Sequence, residues 1–127
     1  MKIGLDFHGV LNTLPVLIEL SELLVKNGHE VHVITGGMKQ NMESELNVSG
    51  MVYGVHYSHF FSISDSLIAK GEVPTWDAPG RPMFDDDIWN KTKATYCRDH
   101  GIELHLDDSD IYGSYFTTPY AQITKVS

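Results

Sequence analysis

The chain has 127 residues, 42% of them hydrophobic and 20% charged, with a formal net charge of −8. That length suits one domain of ordinary globular composition, large enough to bury a core without disulfide or metal staples. Seventeen acids against nine lysines and arginines exclude tight nonspecific binding to a nucleic-acid backbone, and one cysteine, Cys97, excludes an internal disulfide framework.

Lys2 to Phe7 is a short apolar run closing on an acid, which predicts a buried strand. Leu14, Leu17, Ile18, Leu20, Leu24 and Val25 recur at helical spacing, and Gly28 follows as a natural stop, so Leu14 to Asn27 reads as a helix. Glu30 to Thr35 is a second strand closed by Gly36-Gly37, and Met38 to Leu46 a short helix of weak periodicity. Met51 to Phe61, rich in Val, Tyr and Phe, predicts a third strand, and Ser62 to Lys70 a helix before Gly71. A Pro-rich insert at about 72–84 permits no more than a small hairpin. Asp85 to His100 reads as a helix with acids in its first turn, Ile102 to Leu106 as a fourth strand, and Tyr120 to Val126 as a fifth. Strands alternating with helices predict an α/β fold: one domain over residues 1–127 with a three-layer, Rossmann-like, open and mainly parallel sheet of about five strands.

Neither a secretory leader nor a membrane span is expected. Asp6 interrupts the N-terminal apolar run, and Glu19, Ser21 and Glu22 break the stretch from Leu14 to Val25. A cytoplasmic location follows as the expectation.

Ligands of open α/β sheets bind outside the carboxyl ends of the strands. Here three such ends carry polar residues: Asp6, Thr35 with its two glycines, and Asp107-Asp108. Carboxylates brought together from adjacent strands repel unless a proton or cation lies between them, and hard oxygen donors suit Mg2+. Gly9 and Gly36 leave room for an anion to approach backbone N–H groups. A carboxylate nucleophile, a hydroxyl, glycine amides, a lysine and a metal together make a phosphoryl-transfer site.

These residues, in this order, resemble the haloacid dehalogenase (HAD) superfamily, most of whose members are Mg2+-dependent phosphohydrolases. Its first motif, Asp-x-Asp-Gly after an apolar strand, is matched by Asp6-Phe7-His8-Gly9. The second, a strand ending in Thr or Ser, is matched at Thr35, and the third, a lysine, by Lys93 with Lys91 beside it. The fourth, paired acids ending a strand, is matched by Asp107-Asp108. The resemblance spans about Lys2 to Ser109. It implies Asp6 as the nucleophile, with Asp6, the His8 backbone carbonyl, Asp107 and Asp108 holding Mg2+. It further implies Thr35 and the Gly36 amide on phosphate oxygens, and Lys93 neutralising Asp6. His8 stands where these phosphatases carry a second Asp as acid–base. Imidazole can carry a proton near neutral pH and so can do that work. Two functions stay open: hydrolysis of a small phosphate monoester, a nucleotide among the candidates, or a metal- and phosphate-binding regulatory domain with weak or lost catalysis.

Seven histidines include His29/His32 and His56/His59, both spaced HxxH. Positions i and i+3 on a strand face opposite sides, so neither pair is read as a zinc chelate. Cys97 reads as core and Asp85-Asp86-Asp87 as a helix cap. The insert is too short for a full cap domain. Aromatic burial of Trp76 and Trp89, in or beside it, is expected to pin it to the body, and Arg81 or Trp76 to meet a substrate phosphate or base if the insert overhangs the site. Tyr112, Tyr115 and Phe116 read as packing residues, and homo-oligomerisation is one way to close an open site.

Overall fold

Element order in the computed structural model, which describes residues 1–124, is β1 (Lys2–Leu5), α1 (Pro15–Lys26), β2 (Glu30–Thr35), α2 (Lys39–Val48), β3 (His59–Ser62), α3 (Ile63–Ala69), β4 (Thr75–Ala78), β5 (Arg81–Met83), α4 (Asp86–Asp99), β6 (Leu104–Asp107) and β7 (Tyr120–Gln122). Five strands form one parallel sheet in the order β3-β2-β1-β6-β7, while β4 and β5 make a separate antiparallel hairpin. The α/β class and the open parallel sheet agree with the sequence reading.

Alternation along the strands sends side chains to two helical layers. Leu5, Val31 and Val33 pack with Leu17, Ile18, Leu24 and Val25 of α1 and with Met42 and Leu46 of α2. Ile34 faces the other way, against Tyr96 and Cys97 of α4. Each such buried aliphatic side chain contributes about 1.5–3 kcal/mol relative to exposure. Helix ends follow the chain chemistry: Pro15 opens α1, and the Asp85 carboxylate caps α4 by accepting from the N–H groups of Asp87 and Ile88 at 3.1 and 3.3 Å. Cys97 is wholly buried, and burial pushes its thiol up to about 12, in keeping with a core role.

Three expectations need correction. The third strand is only His59–Ser62; the preceding Val52, Tyr53 and Val55 are exposed residues of a turn in which Gly54 takes a φ of 84°. Their β-favouring side chains reflect no sheet partner, since propensity yields to tertiary context. The fifth strand stops at Gln122, short of Ile123 and Thr124, and the last part of its expected span, at 125–126, lies outside the described residues. Trp76 is 55% exposed and does not pin the insert. The insert is tied instead by Phe84, stacked on Trp89 of α4 with ring centroids 6.0 Å apart, and by the Asn41 side-chain N–H donating to the Gly80 carbonyl at 3.0 Å. Among the described residues, no helix is long and apolar enough to cross a membrane.

Candidate active site

β1 and β6 are neighbours in the sheet, with Leu5 opposite Leu106. The residues ending these strands therefore lie side by side: Asp6, whose N–H donates to the Leu106 carbonyl at 3.0 Å, and Asp107. Lys93 reaches them from the middle of α4. Its ammonium donates to Asp6 Oδ1 at 3.0 Å and to Asp107 Oδ2 at 2.7 Å, and the lysine is 2% exposed. Lys91 instead pairs with Asp87 at 3.0 Å on the helix surface, which settles which lysine joins the acids.

Burial and charge divide the two carboxyls. Burial raises Asp6, the Lys93 ammonium opposes it and the Asp107 charge adds to it, leaving its pKa pushed up to about 7. Asp107 suffers burial too, but the His105 hydrogen bond and the Lys93 charge outweigh it and hold that carboxyl well below the usual range. Burial disfavours the Lys93 charge, yet the two carboxylates more than reverse this and raise its pKa. His105 Nε2 donates to Asp107 Oδ2 at 2.9 Å, and burial lowers this imidazole, keeping it neutral. The Ser109 N–H completes the clamp by donating to Asp107 Oδ1 at 3.1 Å.

Oxygens of Asp6, Asp107 and Asp108 lie within 4.8 Å of one another. Octahedral coordination at ~2.1 Å sets ligand oxygens about 3.0 Å apart when adjacent and about 4.2 Å apart when opposed. The three carboxylates are thus a candidate divalent-cation site, hard in donor type. His8, expected to contribute through its carbonyl, sits in the turn that leaves Asp6, extended at φ −70° and ψ 126°, before Gly9 reverses the chain at φ 79°. A Cβ at position 9 would collide with the Asp108 carboxylate, so glycine is required there on both counts. The Gly9 N–H donates to Asn12 Oδ1 at 2.7 Å, so it serves the turn and is not free for a ligand as expected.

A cavity of about 610 Å³ opens over the acids, lined among others by Asp6, Thr35, Gly36, Lys93 and Asp108. Thr35 ends β2 with its hydroxyl buried and without a hydrogen-bond partner among the described residues. A buried orphan hydroxyl costs roughly 1–3 kcal/mol unless a ligand or water meets it. Beside it, a Cβ on Gly36 would stand 2.6 Å from Trp89 Cζ2, so only glycine lets the indole come this close to the backbone. Trp89 Nε1 donates to the Tyr112 hydroxyl at 2.9 Å, and the Tyr112 ring lies 4.7 Å from Lys93 Nζ. Tyr112 is thus a wall of the cavity as well as a packing residue.

His8 and Arg81 stand at the mouth. The His8 side chain is 53% exposed, its Nε2 2.9 Å from Glu45 Oε1 on α2. Arg81 reaches the rim from the hairpin, largely exposed and 3.8 Å from Asp77. Asp6, Thr35, Gly36, Lys93 and Asp108 thus gather on one cavity, with Asp107 sealed beneath it. Sequence reading missed His105 and Glu45. The signal for His105 was available, because positions i and i+2 of a strand share a face and His105 precedes Asp107 by two. Glu45 gave none, since its place depends on how α2 packs over the first turn. Compared with family models, curated proteins and solved structures, the chain has no match.

Proposed function

We propose that the chain is a Mg2+-dependent phosphohydrolase of the haloacid dehalogenase type, cleaving a small phosphate monoester in a cytoplasmic setting. The observation that carries this reading is Lys93 held between Asp6 and Asp107 beneath a cavity that also presents the orphan Thr35 hydroxyl. Asp6, Asp107, Asp108 and the His8 carbonyl would hold the ion, which supplies neutralisation of carboxylate and phosphate charge. Thr35 Oγ1 and the Gly36 N–H accommodate phosphate oxygens at the end of β2.

Lys93 occupies Asp6 Oδ1, leaving Oδ2 to attack phosphorus. The ester P–O bond breaks, the leaving oxygen takes a proton from His8, and Asp6 carries the phosphoryl group. Water, giving its proton to the same imidazole, then attacks the aspartyl-phosphate, releasing phosphate and restoring the Asp6 carboxylate. Glu45 holds the His8 ring at the mouth, the side from which a leaving group departs. The test is phosphate release from a panel of phosphate esters with Mg2+. Activity that falls by on the order of 10⁴-fold or more in Asp6→Asn supports the reading, and absence of release from every ester sinks it.

A metal- and phosphate-binding domain without turnover is the second reading. It is favoured by one observation: His8 is tied to Glu45 at an exposed position rather than packed against Asp6. On this reading His8→Asp gains activity; a fall from a substantial wild-type rate rules it out.

A further inference from the structure

The histidines that matter outside the cavity are not the HxxH pairs. His29 meets the N-terminal amine at 2.7 Å, and His56 Nδ1 accepts from the Val52 N–H at 3.0 Å. Their partners in those pairs, His32 and His59, instead meet each other. β2 and β3 run in parallel register with His32 opposite His59, and the two imidazoles stack at 4.1 Å with planes 4° apart. Glu30, two residues before His32 on β2, shares their face. Its Oε1 lies 2.9 Å from His32 Nε2 and 3.9 Å from His59 Nδ1.

We propose that Glu30, His32 and His59 form a second metal site, for a borderline divalent transition ion such as Zn2+. Three arguments carry it. First, donors of a tetrahedral Zn2+ site at ~2.0–2.1 Å stand about 3.3 Å from one another. The two separations to Glu30 bracket that value, and one donor atom from each residue lies within 4.8 Å of the others. The half-exposed His59 ring has to turn out of the stack, and its Nδ1 away from the Ser58 hydroxyl 2.9 Å off, for both imidazole lone pairs to meet one ion. Second, the donors are two imidazoles and one carboxylate, a set that suits Zn2+ far better than Mg2+. Third, the deepest ligand is already positioned. His32 is 1% exposed, and its Nδ1 lies 2.6 Å from the Tyr96 hydroxyl. Outer hydrogen bonds of this kind fix the orientation and tautomer of metal-binding imidazoles.

Proton bookkeeping closes without a further reactant. In the metal-free chain His32 Nε2–H donates to Glu30, and Nδ1 accepts from the Tyr96 hydroxyl. With metal on Nε2 the proton resides on Nδ1 and is donated to Tyr96. Half-exposed His59 and Glu30 give the ion a route from solvent and leave its fourth position open to water.

The site lies at the amino ends of β2 and β3, whereas Thr35 ends β2 at the cavity. Five residues of strand separate Glu30 from Thr35, about 16 Å. The site therefore stands apart from the proposed phosphatase centre, and its role is to clasp the edge strand β3 to the body of the sheet.

The test uses the untagged chain titrated with Zn2+ in excess Mg2+, and with Co2+ as a spectroscopic probe. One equivalent is expected to bind, to shift the ring resonances of His32 and His59, to give visible Co2+ bands of tetrahedral intensity, and to raise the melting temperature. His59→Gln and Glu30→Gln, both at half-exposed positions, are expected to lose that equivalent. Tyr96→Phe should weaken it by about 10–100-fold, and Asp108→Asn should leave it unchanged. Equal binding in His59→Gln and wild type, loss confined to Asp108→Asn, or no saturable binding at all would each overturn the proposal. None of these readouts depends on phosphate-ester turnover.

Discussion

Lys93 donates to Asp107 across 2.7 Å in a place that solvent all but fails to reach, the lysine 2% exposed and the aspartate fully buried. Such a pair is costly to break, because removing one partner leaves the other charged without compensation. The lysine here has two acids to answer for, which sharpens the first prediction.

Lys93→Met is expected to lower stability at neutral pH by about 3–5 kcal/mol, read as a fall in the urea midpoint. Excess Mg2+ should restore part of the loss, since a cation between the same carboxylates replaces the missing ammonium. A variant as stable as wild type in chelator would show that the ammonium is not what holds the acids together.

Acidity gives a second expectation, for the chain in EDTA. Asp6 titrates near its ordinary value when unfolded and is pushed up to about 7 when folded. Between roughly pH 4 and pH 7 the folded state therefore holds the extra proton, and stability must fall as pH rises through that window, by up to about 1.4 kcal/mol per pH unit. Asp107, shifted the other way, contributes stability above the ordinary carboxylate range that is lost on acidification below it. Urea midpoints of wild type and Asp6→Asn across this range isolate the Asp6 part. A difference between them that does not change with pH contradicts the shift.

Gly36→Ala forces the new methyl against the Trp89 ring, where the clearance is 2.6 Å. The expected cost is about 1–3 kcal/mol of overpacking, together with loss of the Trp89–Tyr112 hydrogen bond. Because Trp76 is exposed, a Trp76→Phe background leaves Trp89 as the reporter, and its emission should shift to the red. Unchanged emission and phosphate affinity would mean the ring moves aside freely.

The His8–Glu45 contact makes the turnover pathway testable from a residue with no assigned metal role. If His8 moves the proton, His8→Ala should lose ~10²–10⁴-fold in kcat. Glu45→Gln, which keeps a hydrogen-bond acceptor but removes the charge, should lose less, with KM little changed. A Glu45→Gln loss equal to that of His8→Ala would indicate that the glutamate itself is indispensable.

Asp6, Thr35 and Asp107 were legible because each ends an apolar run, and such boundaries are visible in a linear pattern; Lys93 was reached only through the resemblance, with Lys91 beside it. The sheet followed from the same runs. What was not legible depended on packing across the chain. Trp76 looked like an anchor because large aromatic rings usually bury, and nothing local says that the hairpin holds on through Phe84 and Asn41 instead. Tyr53 and Val55 looked like strand residues because β-propensity records a kind of side chain, not a neighbour. His32 was weighed against His29, its neighbour in sequence, whereas strand register sets it against His59, 27 residues further along.

The parts of the lysine clamp are unequally distant along the chain. Asp107 is 14 residues from Lys93, and Asp6 is 87. Closing the longer loop costs about 1.6 kcal/mol more chain entropy, and it also requires β1 to insert between β2 and β6. Folding order follows: α4 and β6 can pair their charges early, and β1 enters as the keystone, with pulsed hydrogen exchange expected to protect β6 before β1. The aspartate synthesised first is then the last to meet its counter-charge, and until it does the centre of the sheet is missing a strand.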